Sequence, residues 1–214
     1  MQEKVNWLSF WQMLIFDKKH IMILPLNIPA HPHFTDDELV AFCVANPNLM
    51  VERDEHGQLH ITMTPTFLLG SSNNSELIGE LIIWNRKKKG GRVIESNGGF
   101  FLQDRSMRVP DVAWIQIDRW NALTDDEKNS FPYMAPDFVI ELQSKTDSLR
   151  YLERKMVKWL ENGVRLAWLV CLKSQTTYVY EPGKPPLAVH FEETLSGGEV
   201  LVGLSTRLSD ILEY

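Results

Sequence analysis

Apolar and polar positions alternate and then change period over Phe138 to Val170. The run Phe138-Val139-Ile140-Glu141-Leu142-Gln143 is strand-like and holds a single carboxylate. Strand alternation puts Val139, Glu141 and Gln143 on one face and Phe138, Ile140 and Leu142 on the other. From about Asp147 the apolar positions Leu149, Leu152, Met156 and Leu160 follow helical spacing, which predicts a helix to Asn162 stopped by Gly163. Val164 to Val170 is apolar again, so the pattern is strand, helix, strand.

The flanking patterns predict further elements. Thr35 and Glu38 form a capping box on a helix to about Ala45, which Pro47 closes. Leu49–Arg53 and Gln58–Met63 read as a hairpin around Asp54-Glu55-His56-Gly57. The polar run Ser71 to Ser75 predicts the cap of a second helix, reaching about Arg86 with Leu77, Ile78, Leu81, Ile82 and Trp84 on its apolar side. Arg92–Glu95 and Phe100–Gln103 flank Ser96-Asn97-Gly98-Gly99 as another hairpin. Val112–Ile117 is a strand, and Thr124 with Glu127 caps a short helix. Thr176–Tyr180, Leu187–Phe191 and Glu199–Leu201 read as strands, and Leu208–Leu212 as a helical turn. The expectation is one mixed α/β domain over 34–214, a mixed central sheet flanked by helices with extra β-hairpins.

Composition narrows the function. A net charge of −6 argues against a strongly basic nucleic-acid binder, although a site built of carboxylates adds negative charge itself. Cys43 and Cys171 sit among apolar residues, as free thiols of a reducing compartment do, which gives a cytoplasmic expectation. No apolar run approaches the roughly 18 residues of a membrane span. Residues 1–33 form an N-terminal extension with a Pro-rich lead-in at Pro25, Pro29 and Pro32. Its apolar stretch is broken by Asn6, Ser9 and Gln12, with no cleavage site after it, so export is not expected.

The chemistry centres on two acids. An unpaired Glu141 in a dry strand is costly, and Pro110-Asp111 puts a second carboxylate at the entrance of the Val112 strand. If the strands are neighbours, two ionised carboxylates about 4 Å apart repel by roughly 4 kcal/mol at an effective dielectric near 20. A divalent cation removes that repulsion, and oxygen ligands favour Mg²⁺ or Mn²⁺. The bland alternative has Asp111 capping a turn and Glu141 paired with a buried cation. The six histidines show no zinc spacing, and no phosphate-binding glycine loop is present, so no nucleotide cofactor is expected.

Seven segments, in order, carry a family resemblance: FTDDELVAFCVANPNL, NNSELIGELIIWN, SNGGFFL, RVPDVAWI, RWNALTDDEKNSFPYMAPDFVIELQS, DSLRYLERKMVKWLENGVRLAWLV and YVYEPG. Together they resemble the bacterial Uma-type restriction endonucleases of the PD-(D/E)XK nuclease superfamily, over about residues 34–213. The resemblance implies a restriction-endonuclease-like core that hydrolyses DNA phosphodiester bonds with Mg²⁺ or Mn²⁺. Asp111 and Glu141 match the two acids of the signature, and Glu76 an additional acidic ligand. Asp137 of the competing Pro136-Asp137 pair reads as structural. Gln143 stands where the signature expects a lysine, and cannot carry that charge. Lys155 matches a helix lysine usual in the family and falls at the edge of the apolar stripe, from where its stem can reach the sheet; Lys145 is a weaker candidate. Arg86, Lys87, Lys88, Lys89, Arg92, Arg105 and Arg108 are candidate contacts to DNA phosphates, or a solvated surface. Fold analogy allows a homodimer. The alternative is a catalytically degenerate member serving as a nucleic-acid-binding or protein-interaction module, which Gln143 and the acidic charge both suggest.

Overall fold

The computed structural model describes residues 34–63, 67–145 and 147–214, so the N-terminal extension lies outside the described residues. Helix α1 (Asp36–Ala45) opens on the expected capping box, in which Thr35 Oγ1 accepts from the Glu38 N–H and the Glu38 carboxylate accepts from the Thr35 N–H. The hairpin β1 (Leu49–Arg53) and β2 (Leu59–Met63) follows, then α2 (Leu68–Lys88), β3 (Gly91–Ile94), β4 (Phe100–Phe101), β5 (Met107–Arg108) and β6 (Val112–Gln116). Two short helices, α3 (Ile117–Ala122) and α4 (Asp125–Lys128), lead to β7 (Phe138–Gln143), α5 (Leu149–Glu161) and β8 (Leu166–Cys171). The chain finishes with β9 (Thr176–Tyr180), β10 (Leu187–His190), β11 (Leu195–Ser196), β12 (Ser205–Thr206) and a 3-10 turn at Leu208–Asp210.

The main sheet has the order β10-β9-β8-β7-β6-β3. Only β7 and β8 run parallel in it, because α5 is the crossover that joins them. A smaller antiparallel sheet, β2-β1-β5-β4, stands beside it, and β11 pairs with β12. The alternation expected along β7 sorts the core. Phe138 and Ile140 face α2, where Leu77, Leu81 and Trp84 pack with Val112, Trp114 and Trp168. Val139 faces α5, against Leu152, Met156 and Trp159. Each such side chain contributes about 1.5–3 kcal/mol by leaving water. A third cluster, Leu39, Phe42, Val51, Phe101, Met107 and Val109, joins α1 to the small sheet.

Four local expectations are corrected. Helix α2 starts at Leu68, so Ser71 to Ser75 lie inside it and cap nothing. Ser75 instead donates to the Ser71 carbonyl (3.0 Å), and buried Asn73 exchanges two hydrogen bonds with the Glu213 backbone. The Ser96–Gly99 turn is real, but its arms separate: Ile94 pairs with Ala113 in the main sheet and Phe100 with Arg108 in the small one. Residues 199–201 are not a strand; Leu201 is buried in the turn between β11 and β12. Strand β6 ends at Gln116, whose N–H donates to Asp137 Oδ2 (2.9 Å), and Ile117 opens a helix.

Candidate active site

The two sheets meet where β5 runs through Val109 and Pro110 directly into Asp111 and β6. Val112 pairs with Ile140 and Ala113 with Val139, so the next antiparallel step sets Asp111 opposite Glu141, with both side chains on the α5 face. The Leu142 N–H donates to Asp111 Oδ2 at 2.7 Å. Glu141 is buried at 3% exposure. Its Oε1 accepts from the Trp159 indole at 2.8 Å, and Lys155 Nζ lies 2.9 Å from each of its oxygens.

Lys155 comes two turns into α5, on the same side as Leu152, Met156 and Trp159, and is buried with them. Its ammonium also lies 2.9 Å from Glu52 Oε1 and donates to the Val109 carbonyl at 3.2 Å. Glu52 enters from β1, opposite Arg108, and its Oε1 accepts from the Val109 N–H at 2.7 Å. Two carboxylates thus contact one ammonium, and a third, Asp111, lies opposite Glu141 within its electrostatic reach.

The electrostatics follow from that imbalance. Burial pushes Glu141 up to about 8, against the opposing pull of the Lys155 ammonium, with Asp111 and Glu52 adding to the rise. The Asp111 residue is half-buried, yet its carboxyl is enclosed by protein. That burial raises its pKa despite the Leu142 N–H and Lys155, with Asp147 and Glu52 reinforcing the rise. For Lys155, burial alone would favour loss of the proton. The charges of Glu141 and Glu52 outweigh it and hold the ammonium well above its ordinary range.

The structure brings Asp111, Glu141 and Lys155 together but leaves other expected residues elsewhere. Glu76 is exposed on α2, whose buried side packs on the opposite face of the main sheet, so it does not join the two acids. Gln143 points its amide at the Asp147 carbonyl (3.4 Å) and not at Glu141. Arg108 is buried, 3.2 Å from Glu55 and 4.0 Å from Glu52, and so is not a surface contact for phosphate. Arg86, Lys87, Lys88 and Lys89 are exposed at the C-terminal end of α2, where the helix dipole favours cations. That end leads into Gly91, opposite Gln116, at the far end of β6 from Asp111, about 16 Å along the strand. Arg92 is exposed beside them on the edge strand β3, and Arg105 at a turn with φ 68°. Asp137 is buried between Arg119 (2.9 Å) and Arg165 (3.6 Å), an anchor for the start of β7.

Glu52 is the site residue that sequence reasoning missed. Its signal is slight, a charged pair Glu52-Arg53 ending a short strand whose last three residues are all buried.

A family model described as "Putative restriction endonuclease", Uma2, matches residues 36–209. The chain belongs to the Uma2 family. Among solved structures it resembles a "putative nuclease belonging to DUF820" from Anabaena variabilis ATCC 29413, with 19% identity and a TM-score of 0.65. That match covers 75% of this chain and 88% of the other, and it shares the mixed sheet flanked by helices. No curated protein matches. No helix among the described residues is long and apolar enough to cross a membrane.

In this Uma2 chain the donor chemistry of Glu52, Asp111 and Glu141, all carboxylate oxygen, suits a hard cation such as Mg²⁺ or Mn²⁺. As the side chains stand, no three His, Cys, Asp or Glu among the described residues are grouped to hold a metal. The Lys155 ammonium occupies the space between Glu52 and Glu141, and the pair facing each other across the ladder is Asp111 and Glu141.

Proposed function

We propose that this protein is a Mg²⁺- or Mn²⁺-dependent endonuclease that hydrolyses DNA phosphodiester bonds. The observation that carries the reading is the buried ammonium of Lys155 held between Glu52 and Glu141 at the junction of the two sheets, with Asp111 opposite Glu141 on the same face. Asp111 and Glu141 would hold the ion, with Glu52, not Glu76, as the third acid. When bound, such an ion lowers the pKa of its water and offsets charge on the phosphate oxygens. Lys155 supplies the positive charge that Gln143 cannot, from the helix instead of the strand, and would donate to a phosphate oxygen or the attacking water by exchanging one of its present acceptors. Trp159 fixes the Glu141 rotamer by donating to Oε1, and the Leu142 N–H orients Asp111.

The test is cleavage of supercoiled plasmid by purified protein with Mg²⁺ or Mn²⁺. Asp111→Ala is expected to lower the rate about 100-fold or more, and Lys155→Met to lower it per folded molecule. Cleavage that persists in Asp111→Ala overturns the assignment. One observation favours a second reading, a catalytically degenerate module: the ammonium already satisfies Glu52 and Glu141 without a metal. Its signature is DNA or protein binding with no cleavage and no calorimetric uptake of Mn²⁺.

A further inference from the structure

A cavity of about 560 Å³ opens at the opposite end of the main sheet from the acidic cluster. Its lining includes Gln116 at the end of β6, Asp137 just before β7 and Arg165 just before β8. The volume falls within the roughly 300–1,000 Å³ of small-molecule sites. One wall is aromatic. Tyr133 stacks on Phe101 with ring centroids 4.9 Å apart and planes at 21°, and the Arg53 guanidinium lies 5.6 Å from the Phe101 ring centre. The Tyr133 hydroxyl donates to Asp36 Oδ2 at 2.5 Å, which fixes the ring in place. Even so, Tyr133 is 69% exposed.

The floor is cationic, although the whole chain carries a net charge of −6. Two guanidiniums, Arg119 and Arg165, share the single carboxylate of Asp137, which also accepts from the Gln116 N–H. Arg119 is committed, donating to the Ala135 carbonyl at 2.7 Å as well as facing Asp137 at 2.9 Å. Among the described residues the Arg165 guanidinium is held only by a 3.6 Å contact, and the residue keeps 51% of its side chain exposed. Gln103 and Gln116 line the same cavity, and their side-chain amides make no hydrogen bond among the described residues. A rigid exposed ring, a spare guanidinium and two free amides match a planar base carrying a phosphate.

We propose that this cleft binds a nucleotide, with the base stacked on Tyr133, the phosphate on Arg165, and the amides of Gln103 and Gln116 facing the edge of the base. The binding is separate from the acidic cluster and does not rest on the hydrolytic reading. The nucleotide comes either as a free monophosphate or as an unpaired residue of a DNA strand.

Calorimetric titration of the full chain with thymidine monophosphate, with a short oligothymidylate and with inorganic phosphate tests it. Saturable binding of the nucleotide is expected. Tyr133→Ala should weaken it about tenfold, the scale of one base stack, and Arg165→Gln by a similar factor. Tyr133→Phe, which keeps the ring but loses its anchor on Asp36, should bind more tightly than Tyr133→Ala and shows that loss in the alanine variant is not misfolding. Asp111→Ala should also bind as wild type. Much tighter binding of the oligonucleotide identifies a strand as the source, and equal affinities identify the free monophosphate. The proposal is overturned if neither nucleotide probe binds, or if Tyr133→Ala and Arg165→Gln leave binding unchanged. It is equally overturned if inorganic phosphate competes as well as the nucleotide and Tyr133→Ala has no effect.

Discussion

The Lys155 ammonium places its three N–H groups on Glu141, Glu52 and the Val109 carbonyl, all inside the protein. Removing it leaves two buried carboxylates facing each other without compensation. Lys155→Met should therefore destabilise the fold by about 3–5 kcal/mol, measured by urea unfolding. Adding Glu141→Gln should restore part of that loss, because the amide still accepts from Trp159 while the charge is gone; strictly additive losses would show that the pair is not coupled. At this scale the sequence was uneven. Glu141 was legible because a charge inside an apolar strand must have a partner, and Lys155 because it sat beside the buried stripe. Glu52 was not, since its partners belong to another sheet and to a helix far along the chain. Glu76 was misplaced for a related reason: periodicity tells which side of a helix is buried, but not which face of the sheet it covers.

Some elements built from local signals came through intact, whereas the cap of α2 and the strand at 199–201 did not. Strand β7 and both capping boxes stand where alternation and cap chemistry put them. Pairing between strands came through only in part: the β1–β2 hairpin formed as expected, but turn residues report a bend and do not say what its arms meet. The arms of the Ser96–Gly99 turn enter different sheets, since β3 completes the edge of the main sheet against β6. That edge depends on a close approach at Gly91. A Cβ there would lie 2.2 Å from the Ile115 carbonyl oxygen and 2.5 Å from the Trp114 ring. Gly91→Ala should cost about 1–3 kcal/mol in thermal or urea unfolding, because backbone has to move. Gly79 provides the control in the neighbouring helix, where a Cβ meets nothing within 4 Å. Gly79→Ala should stabilise by roughly 0.5–1 kcal/mol through helix propensity and a less flexible unfolded chain. Equal effects at the two glycines would contradict the close packing of β3 on β6.

At the scale of the molecule, the two faces of the main sheet are divided between different tasks. The α5 face carries the acidic cluster, whereas the α2 face is closed by the end of the chain, with Leu201, Leu204, Leu208 and Leu212 packed against Leu77, Leu81 and Trp84. A mixed α/β architecture was legible from the order of periodicities, but this closure was not, because it joins residues 140 positions apart. Its polar clasp is Asn73, which donates to the Glu213 carbonyl at 2.6 Å and accepts from the Glu213 N–H at 2.9 Å. The residue is 1% exposed, so truncating it leaves backbone groups with little access to water. Asn73→Ala should lower stability by about 1–3 kcal/mol. The calorimetric response of the acidic cluster to Mn²⁺ should stay as in wild type, since the substitution lies across the sheet. Asn73→Asp separates the two bonds: it keeps the acceptor for the Glu213 N–H but sets an oxygen against the Glu213 carbonyl, so it should be no more stable than the alanine variant. An aspartate variant as stable as wild type would show that the C-terminal segment is held by its leucines alone.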